Sequence, residues 1–296
     1  IRIILLDKTQ YVVENSGPLP NRNMFERAAF ALHQTAWKHY HCMECIPCFG
    51  DDDVNTTVTN SKNKENNIVP HLDPNQQYIF GIHPHGIHCI PLLQFSNPGS
   101  KFDQLFPGLV GPKLTGIAAT VLFKIPVVRE SFFHMGYIDA SRKVCSDALS
   151  KGQSLYIVTG GEEESMWTQQ GKDIVVLKKR KGFIRLALSY GAALVPVFGV
   201  GNTDVYKTSA FAFAFRLWLQ KTTGIALPIF HGRWFTPVTY PVSIKVLVGK
   251  PIITPIPKVL GAKPDPALVD EYHAKYIQAL KEMHARHVHD RILIVK

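Results

Sequence analysis

No window of about 18 residues in this chain runs apolar without a proline, glycine or histidine interrupting it, so no membrane-spanning helix is expected. Interfacial contact stays open, as does a leader or anchor ahead of Ile1. Cysteine is scarce: five residues, an odd number with no secretory pattern, which argues against a disulfide framework and for free thiols. Carboxylates are short as well. Asp and Glu total 23 against 33 Lys and Arg, a formal net charge of +10 that favours anionic partners such as phosphates or acidic headgroups. No aromatic RNA-binding signature or recognition-helix module is present, so nucleic acid is set aside as a partner. Nor is there an internal repeat.

What is present is a 296-residue chain, 46% hydrophobic, able to bury a sizeable core. Residues 50–67 are polar and rich in turn formers, and read as a mobile loop. Asn55-Thr56-Thr57 inside it matches a glycosylation acceptor, a short pattern common by chance. The expected division is an N-terminal segment over 1–70 and a main domain over 71–296. From residue 71 short apolar runs alternate with helical stretches. "QYIFGI", "SLYIVTG" (154–160), "DIVVL" (173–177), "ALVPVFGV" (193–200) and "VSIKVLVG" (242–249) read as strands. Ser141 opens one helix, Gly191 stops another that begins at Gly182, and Asp265 with Pro266 starts a long one striped by Val269, Tyr272, Tyr276, Leu280 and Met283. The expected fold class is α/β: a central, mostly parallel or mixed sheet covered by helices.

Several motifs carry candidate chemistry. "CMECIPC" spaces Cys42, Cys45 and Cys48 like the start of a metal cluster, with His39 and His41 beside it, but a fourth cysteine at matching spacing is missing and local packing or acylation are the alternatives. "HPHG" (83–86) places His83 and His85 on a tight turn at a strand end, where a metal-dependent hydrolase could hold an H-x-H pair; later strand ends offer no obvious further ligands. "TGGEEES" (159–165) reads as a second turn facing the crevice, with Gly160 and Gly161 able to aim amides at a developing oxyanion and at least one carboxylate pointing inward. Lys178, Lys179, Arg180 and Lys181 precede the helix starting at Gly182, an arrangement suited to the phosphates of a nucleotide-like carrier or, equally, to a solvated loop. "SAFAFAFRLWLQK" (209–221) puts Phe211, Phe215 and Trp218 on one helical face. A core helix is the default there, and an interfacial helix or acyl-chain channel the alternative.

The stretches "YIFGIHPHG", "GG" followed by Glu164, "RKGFIRLAL", "GAALVPVFGVGNTDVYK", "VGKPI" and "PDPALVDEYHAKYIQAL" together resemble the type-2 diacylglycerol acyltransferase family, with its monoacylglycerol and wax-ester relatives, over roughly residues 71–285. The resemblance implies a glycerolipid-acyltransferase-like fold in which 71–296 is the catalytic domain. It also implies transfer of a fatty acyl group from acyl-CoA to a neutral lipid, most simply diacylglycerol to triacylglycerol, with monoacylglycerol or a fatty alcohol as alternatives. The place implied is the cytosolic face of the endoplasmic reticulum or a lipid droplet. Acyl-CoA is then a co-substrate, with no separate cofactor and no metal. In these terms His85 is the general base, Glu164 the carboxylate that orients its imidazole, His83 a supporting residue and His88 structural. Lys179, Arg180, Lys181 and Gly182 would hold the CoA phosphates, and Gly86, Gly160, Gly161 and Phe183 would line the substrate. Cys89 is not needed as a nucleophile, since the thioester is already reactive. Two departures from the family stand out: Glu162 and Glu163 where it has small residues, and no hydrophobic hairpin upstream.

Overall fold

The computed structural model describes residues 43–48, 72–111, 113–126, 128–223 and 226–296. His39, His41, Cys42, the Asn55 pattern and the polar loop expected at 50–67 lie outside them. Eleven strands are described: β1 (Glu44–Cys48), β2 (Tyr78–His83), β3 (Leu114–Ala118), β4 (Tyr137–Asp139), β5 (Ser154–Val158), β6 (Asp173–Val175), β7 (Ala193–Val200), β8 (Lys207–Thr208), β9 (Phe230–His231), β10 (Lys245–Gly249) and β11 (Leu293–Val295). Between them run helices α1 (Leu93–Ser96), α2 (Lys101–Leu105), α3 (Val128–His134), α4 (Arg142–Ser150), α5 (Gly161–Trp167), α6 (Gly182–Tyr190), α7 (Phe213–Thr223) and α8 (Pro266–His287).

Seven strands make one sheet in the order β1-β10-β7-β2-β5-β3-β4. β2 is parallel to both its neighbours, β5 and β7, whereas β10 runs antiparallel to β7. Strand alternation decides what each face buries. Tyr78, Phe80 and Ile82 of β2 join Val195, Val197, Val246 and Val248 under Phe95 and Phe102 of α1 and α2. Ile79, Leu155, Leu194, Phe198 and Leu247 face the other way, under α4, α6 and α8. Because helices cover both faces, every residue of β2 is buried and the strand reads as a continuous apolar run. The α/β class and the mixed, helix-covered sheet expected from the sequence are what the chain builds.

Three local expectations change. Among the described residues β6 is not part of the central sheet and pairs with β11 alone, in parallel. Glu44–Cys48, upstream of residue 70, is an edge strand of the main sheet beside β10. An odd spacing along that strand sends Cys45 and Cys48 into the cores on opposite faces of the sheet, so the two thiols cannot share one metal ion. Burial pushes the Cys45 thiol up to about 12. Finally, "TGGEEES" is a helix start rather than a turn: Glu162, Glu163 and Glu164 occupy the first turn of α5, where the helix dipole favours negative charge. Among the described residues no helix is long and apolar enough to cross a membrane.

α8 begins as its sequence dictates. Asp265 caps it through an Oδ1 bond from the Ala267 N–H at 3.1 Å, and Val269, Tyr276, Leu280 and Met283 of its stripe are buried. Tyr276 reaches the sheet at Gly81, where the absence of a side chain makes room for its hydroxyl: a Cβ on Gly81 would overlap that oxygen. Gly81→Ala is therefore expected to lower stability by about 1–3 kcal/mol, the usual range for an overpacked core. The urea midpoint reads this, and an unchanged midpoint would mean that Tyr276 moves aside freely.

Candidate functional site

Parallel pairing brings the carboxyl ends of β5, β2 and β7 to the same edge of the sheet, with β2 in the middle. Crevices at such adjacent strand ends are where open α/β sheets bind ligands. Three loops meet there: Pro84 to Cys89 after β2, Thr159-Gly160 after β5, and Gly201-Asn202 after β7.

His83, the last residue of β2, faces α8 and is fully buried. The Tyr276 hydroxyl donates its only hydrogen to the Gly81 carbonyl at 3.0 Å. His83 Nε2–H must then be the donor to the Tyr276 oxygen at 3.1 Å, which leaves Nδ1 to accept from the Thr159 hydroxyl at 3.2 Å. Burial lowers its pKa to about 3, so the ring stays neutral. Both nitrogens of His83 are used, so the H-x-H pair offers at most one free nitrogen. Among the described residues no group of three His, Cys, Asp or Glu side chains is arranged to hold a metal ion. His83 is a strut between the sheet and α8.

The His83-Pro84 peptide bond is cis. Beyond it, His85 is half-buried at the crevice, and its Nδ1 lies 2.8 Å from the Gly86 carbonyl. A carbonyl can only accept, so Nδ1 carries the hydrogen and Nε2 is the basic nitrogen. Burial lowers the His85 pKa, partly opposed by the Gly86 bond, with His88 adding a smaller push down. The neutral, proton-accepting form therefore prevails around neutrality. Gly86 turns the chain at φ +64° and lies against the Asn202 amide, a position that favours glycine.

Glu164 does not touch the imidazole. One of its oxygens accepts the backbone N–H of His85 and the other the N–H of Val176 at 2.7 Å. The expected role as orienter of the ring thus passes to the Gly86 carbonyl, and Glu164 holds the loop's backbone. Its helical position explains the difference: a helical side chain leans toward the N-terminus over the preceding turn, which lays this carboxylate against Gly160, four residues back. A Cβ at Gly160 would overlap it. Gly161, at φ +60°, is the other glycine of the pair. Burial raises the Glu164 pKa to about 7 against the pull of the two amides and Arg180.

The remaining expected residues scatter. His88 is exposed, donating from Nδ1 to the Tyr206 hydroxyl at 3.1 Å, which itself donates to the Pro237 carbonyl. The Cys89 thiol is pushed well up by burial, so it is no thiolate. Of the basic run, Arg180 pairs with Glu163 at 3.0 Å and Lys181 with Asp270 at 2.6 Å, while Lys178 and Lys179 are exposed. Gly182 starts α6 with open space around it. Phe183 is buried against Tyr276, ring centroids 4.9 Å apart, in the core rather than the crevice. The aromatic stripe is not core: Phe211, which precedes α7, and Phe215 and Trp218 within it are all exposed.

Several site residues went unforeseen. Buried Asn202 grips the histidine loop, donating from Nδ2 to the carbonyls of Pro84 (3.0 Å) and His85 (3.2 Å) and accepting the Ile90 N–H on Oδ1. Behind Val176, buried Asp173 accepts from His284 Nε2 at 2.9 Å, and Arg291 bridges to Asp204 at 2.7 Å. Asp204 Oδ1 also accepts the Gly171 N–H. The polar residues after β7, in "GNTD", were the available signal, since a buried Asn or Asp at a strand end must bond a neighbouring loop.

The family model described as Diacylglycerol acyltransferase matches residues 46–293. 2-acylglycerol O-acyltransferase 3 of Homo sapiens is 38% identical over 231 residues, 73% of this chain and 66% of that protein. Diacylglycerol O-acyltransferase 2B of Umbelopsis ramanniana is 34% identical over 73% of this chain and 65% of its own length. Diacylglycerol O-acyltransferase 2 of Dictyostelium discoideum is 36% identical over 74% of this chain and 68% of its own. The chain thus spans about two thirds of these relatives, slightly less for the first two. Among solved structures, the 1-acyl-sn-glycerophosphate (LPA) acyltransferase PlsC from Thermotoga maritima gives a TM-score of 0.45 at 16% identity, covering 94% of this chain and 88% of that one, a likeness too slight to carry an argument.

The two amides bound to Glu164 should report its protonation directly. In a pH titration followed by nuclear magnetic resonance, the His85 and Val176 backbone N–H signals are expected to move together with a midpoint near 7. In Glu164→Gln the step near 7 should vanish from both signals, because the glutamine amide does not titrate, and the Val176 or His85 N–H should also lose its partner, since one amide oxygen replaces two carboxylate oxygens. Separate midpoints for the two amides would dissolve the bridge.

Proposed function

The chain belongs to the diacylglycerol acyltransferase family, and from that premise we propose that it transfers a fatty acyl group from acyl-CoA to the free hydroxyl of a neutral acylglycerol. Diacylglycerol is the first choice of acceptor and monoacylglycerol the second. The single observation that carries the chemistry is the His85 ring: Nδ1–H is fixed on the Gly86 carbonyl, so Nε2 is left as the ring's proton acceptor. As the acceptor hydroxyl attacks the thioester carbonyl, its proton passes to Nε2; when the C–S bond breaks, the imidazolium returns a proton to the departing CoA thiolate. No covalent acyl-enzyme is needed, in keeping with the protonated Cys89.

Glu164 acts on this base through the backbone. By anchoring the His85 N–H it fixes where the ring sits, while Asn202 fixes the carbonyls of Pro84 and His85. The start of α5 sets the choice of acceptor: Glu162, and to a lesser degree Glu163, which is paired with Arg180, would repel a phosphorylated acceptor. Lys178, Lys179 and the start of α6 are the place for the CoA phosphates, with Arg180 and Lys181 shared between that role and their ion pairs. The cytosolic face of the endoplasmic reticulum or a lipid droplet, where such acceptors collect, is the proposed location.

Labelled acyl-CoA supplied with mono- and diacylglycerols, fatty alcohols and lysophosphatidate tests the reading. Transfer should be fastest to an acylglycerol and persist in chelator; His85→Ala, with its fold intact, should lose at least about a hundredfold in kcat, the scale of a removed general base. Faster transfer to lysophosphatidate, or an active His85→Ala protein, would overturn it.

Replacing Lys178 and Lys179 together with alanine should raise the KM for acyl-CoA severalfold and flatten its salt dependence, with little change in kcat. An unchanged KM makes the run a solvated loop.

A further inference from the structure

The described residues of 205–240 form one excursion, rooted in the core at Val205 and Tyr206. Its stem is the β8–β9 pair, closed by the Ser209 N–H to Ile229 carbonyl bond at one end and the Tyr240 N–H to Val205 carbonyl bond at the other. Beyond one end lies α7 with exposed Phe215 and Trp218; beyond the other is a turn at Arg233-Trp234-Phe235. Trp234 and Phe235 are 73% and 86% exposed, although large aromatic residues seldom stand so far into water without use. Both have left-handed backbone, φ 51° and 58°, a conformation costly for bulky side chains that tends to persist where function holds it. The Arg233 guanidinium lies 4.3 Å from the Trp234 ring centroid.

Charge selects the occupant. The excursion contains no Asp or Glu, and its cations are Lys207, Arg216, Lys221 and Arg233. Arg216 is buried and spent on carbonyls of Ser209, Phe211 and Leu227, so it braces the loop from within. Lys221 and Arg233 stand beside the exposed aromatics. Apolar rings flanked only by cations fit an interface of acyl chains under anionic headgroups, and disfavour a second copy of the chain, which would bring the same positive charge. The excursion is also fastened to the crevice: Phe213 packs on Trp167 at the end of α5, Thr208 donates to the Thr168 carbonyl, and Phe230 and Tyr206 pack on His88.

We propose that residues 205–240 are a lipid-docking platform, with Trp234 and Phe235 as an insertion tip and α7 as a second contact, which seats the crevice against an anionic lipid surface so that a neutral acceptor reaches His85 from the lipid layer. The route to His85 rests on the acyl-transfer reading; the docking itself does not.

The test is flotation of the full chain with phosphatidylcholine vesicles, with and without phosphatidylserine. The parent should float with the anionic vesicles, less so in high salt. Trp234→Ala/Phe235→Ala, whose exposed side chains leave the core intact, should lose about tenfold in partition, and Lys221→Glu/Arg233→Glu should lose the dependence on phosphatidylserine. The aromatic double variant should lose turnover on vesicle-borne diacylglycerol in proportion, yet stay within about twofold of the parent on a water-soluble short-chain acceptor. An aromatic double variant that floats like the parent overturns the proposal, as does a parent that is dimeric by light scattering and turns monomeric in that variant, since a second copy then covers the tip. His85→Ala should float like the parent; flotation retained where no acyl transfer is found in any protein supports the platform and removes only the catalytic reading.

Discussion

The Glu164 carboxylate, fully buried and receiving one backbone N–H on each oxygen, is the tie on which the crevice depends. One amide belongs to the loop that follows β2, the other to the segment that follows β6, so a single side chain joins two parts of the fold that share no strand pairing. Burying a carboxylate is costly, and the two amides and Arg180 only partly offset that cost, which is why its pKa stands near 7 rather than in the usual carboxylate range. The sign for stability follows. A carboxyl whose pKa is raised on folding binds its proton more tightly in the folded state, so this group favours folding most at acid pH. It withdraws that support as pH climbs from about 4.5 to about 7.

Behind that tie stands a second layer of buried charge. Asp173 opens β6, three residues before the Val176 amide, and is fixed by His284 from α8; Asp204 lies two residues after Asn202 and is fixed by Arg291. Thr203 links the two acids through a 3.4 Å contact with Asp173. Breaking a buried pair by removing one partner leaves an uncompensated charge, so these four residues hold the two gripping loops in register more firmly than exposed pairs such as Lys151 with Asp147 can. The loop carrying His85 is thus held from the Glu164 side and from the Asn202 side by supports that meet in one cluster.

Much of this was legible in the sequence because strand and helix periods are local. β2, β5, β7 and α8 stand where alternation, Asp265-Pro266 and the apolar stripe put them, and "HPHG" announced a crevice loop. What escaped depends on atoms rather than on periods. Reading "TGGEEES" as a turn left Glu164 facing an imidazole, whereas one helical turn more rotates the same carboxylate onto a backbone amide. Tyr276 was visible as an apolar stripe residue, but its hydroxyl matters only once Gly81 is known to lie beneath it. Phe215 and Trp218 show the limit most plainly: a helical aromatic stripe has the same spacing whether it faces a core or not. β11 escaped because its three residues make too short a run to distinguish.

That short strand has a consequence for how the protein comes into being. Among the described residues β6 pairs with β11 alone, in a two-stranded sheet of their own, and the N–H groups of Leu177 and Lys178 are received by the carbonyl of Lys296. During synthesis the sheet, the histidine loop and Glu164 all emerge from the ribosome well before residues 291–296. Until those residues arrive, the segment presenting the Val176 amide lacks its strand partner and keeps only its ties to the side chains of Glu164, Thr203, His273 and His284. The central sheet can therefore form before the β6 segment gains the strand that sets its register, which leaves that segment the last part of the Glu164 tie to be fixed.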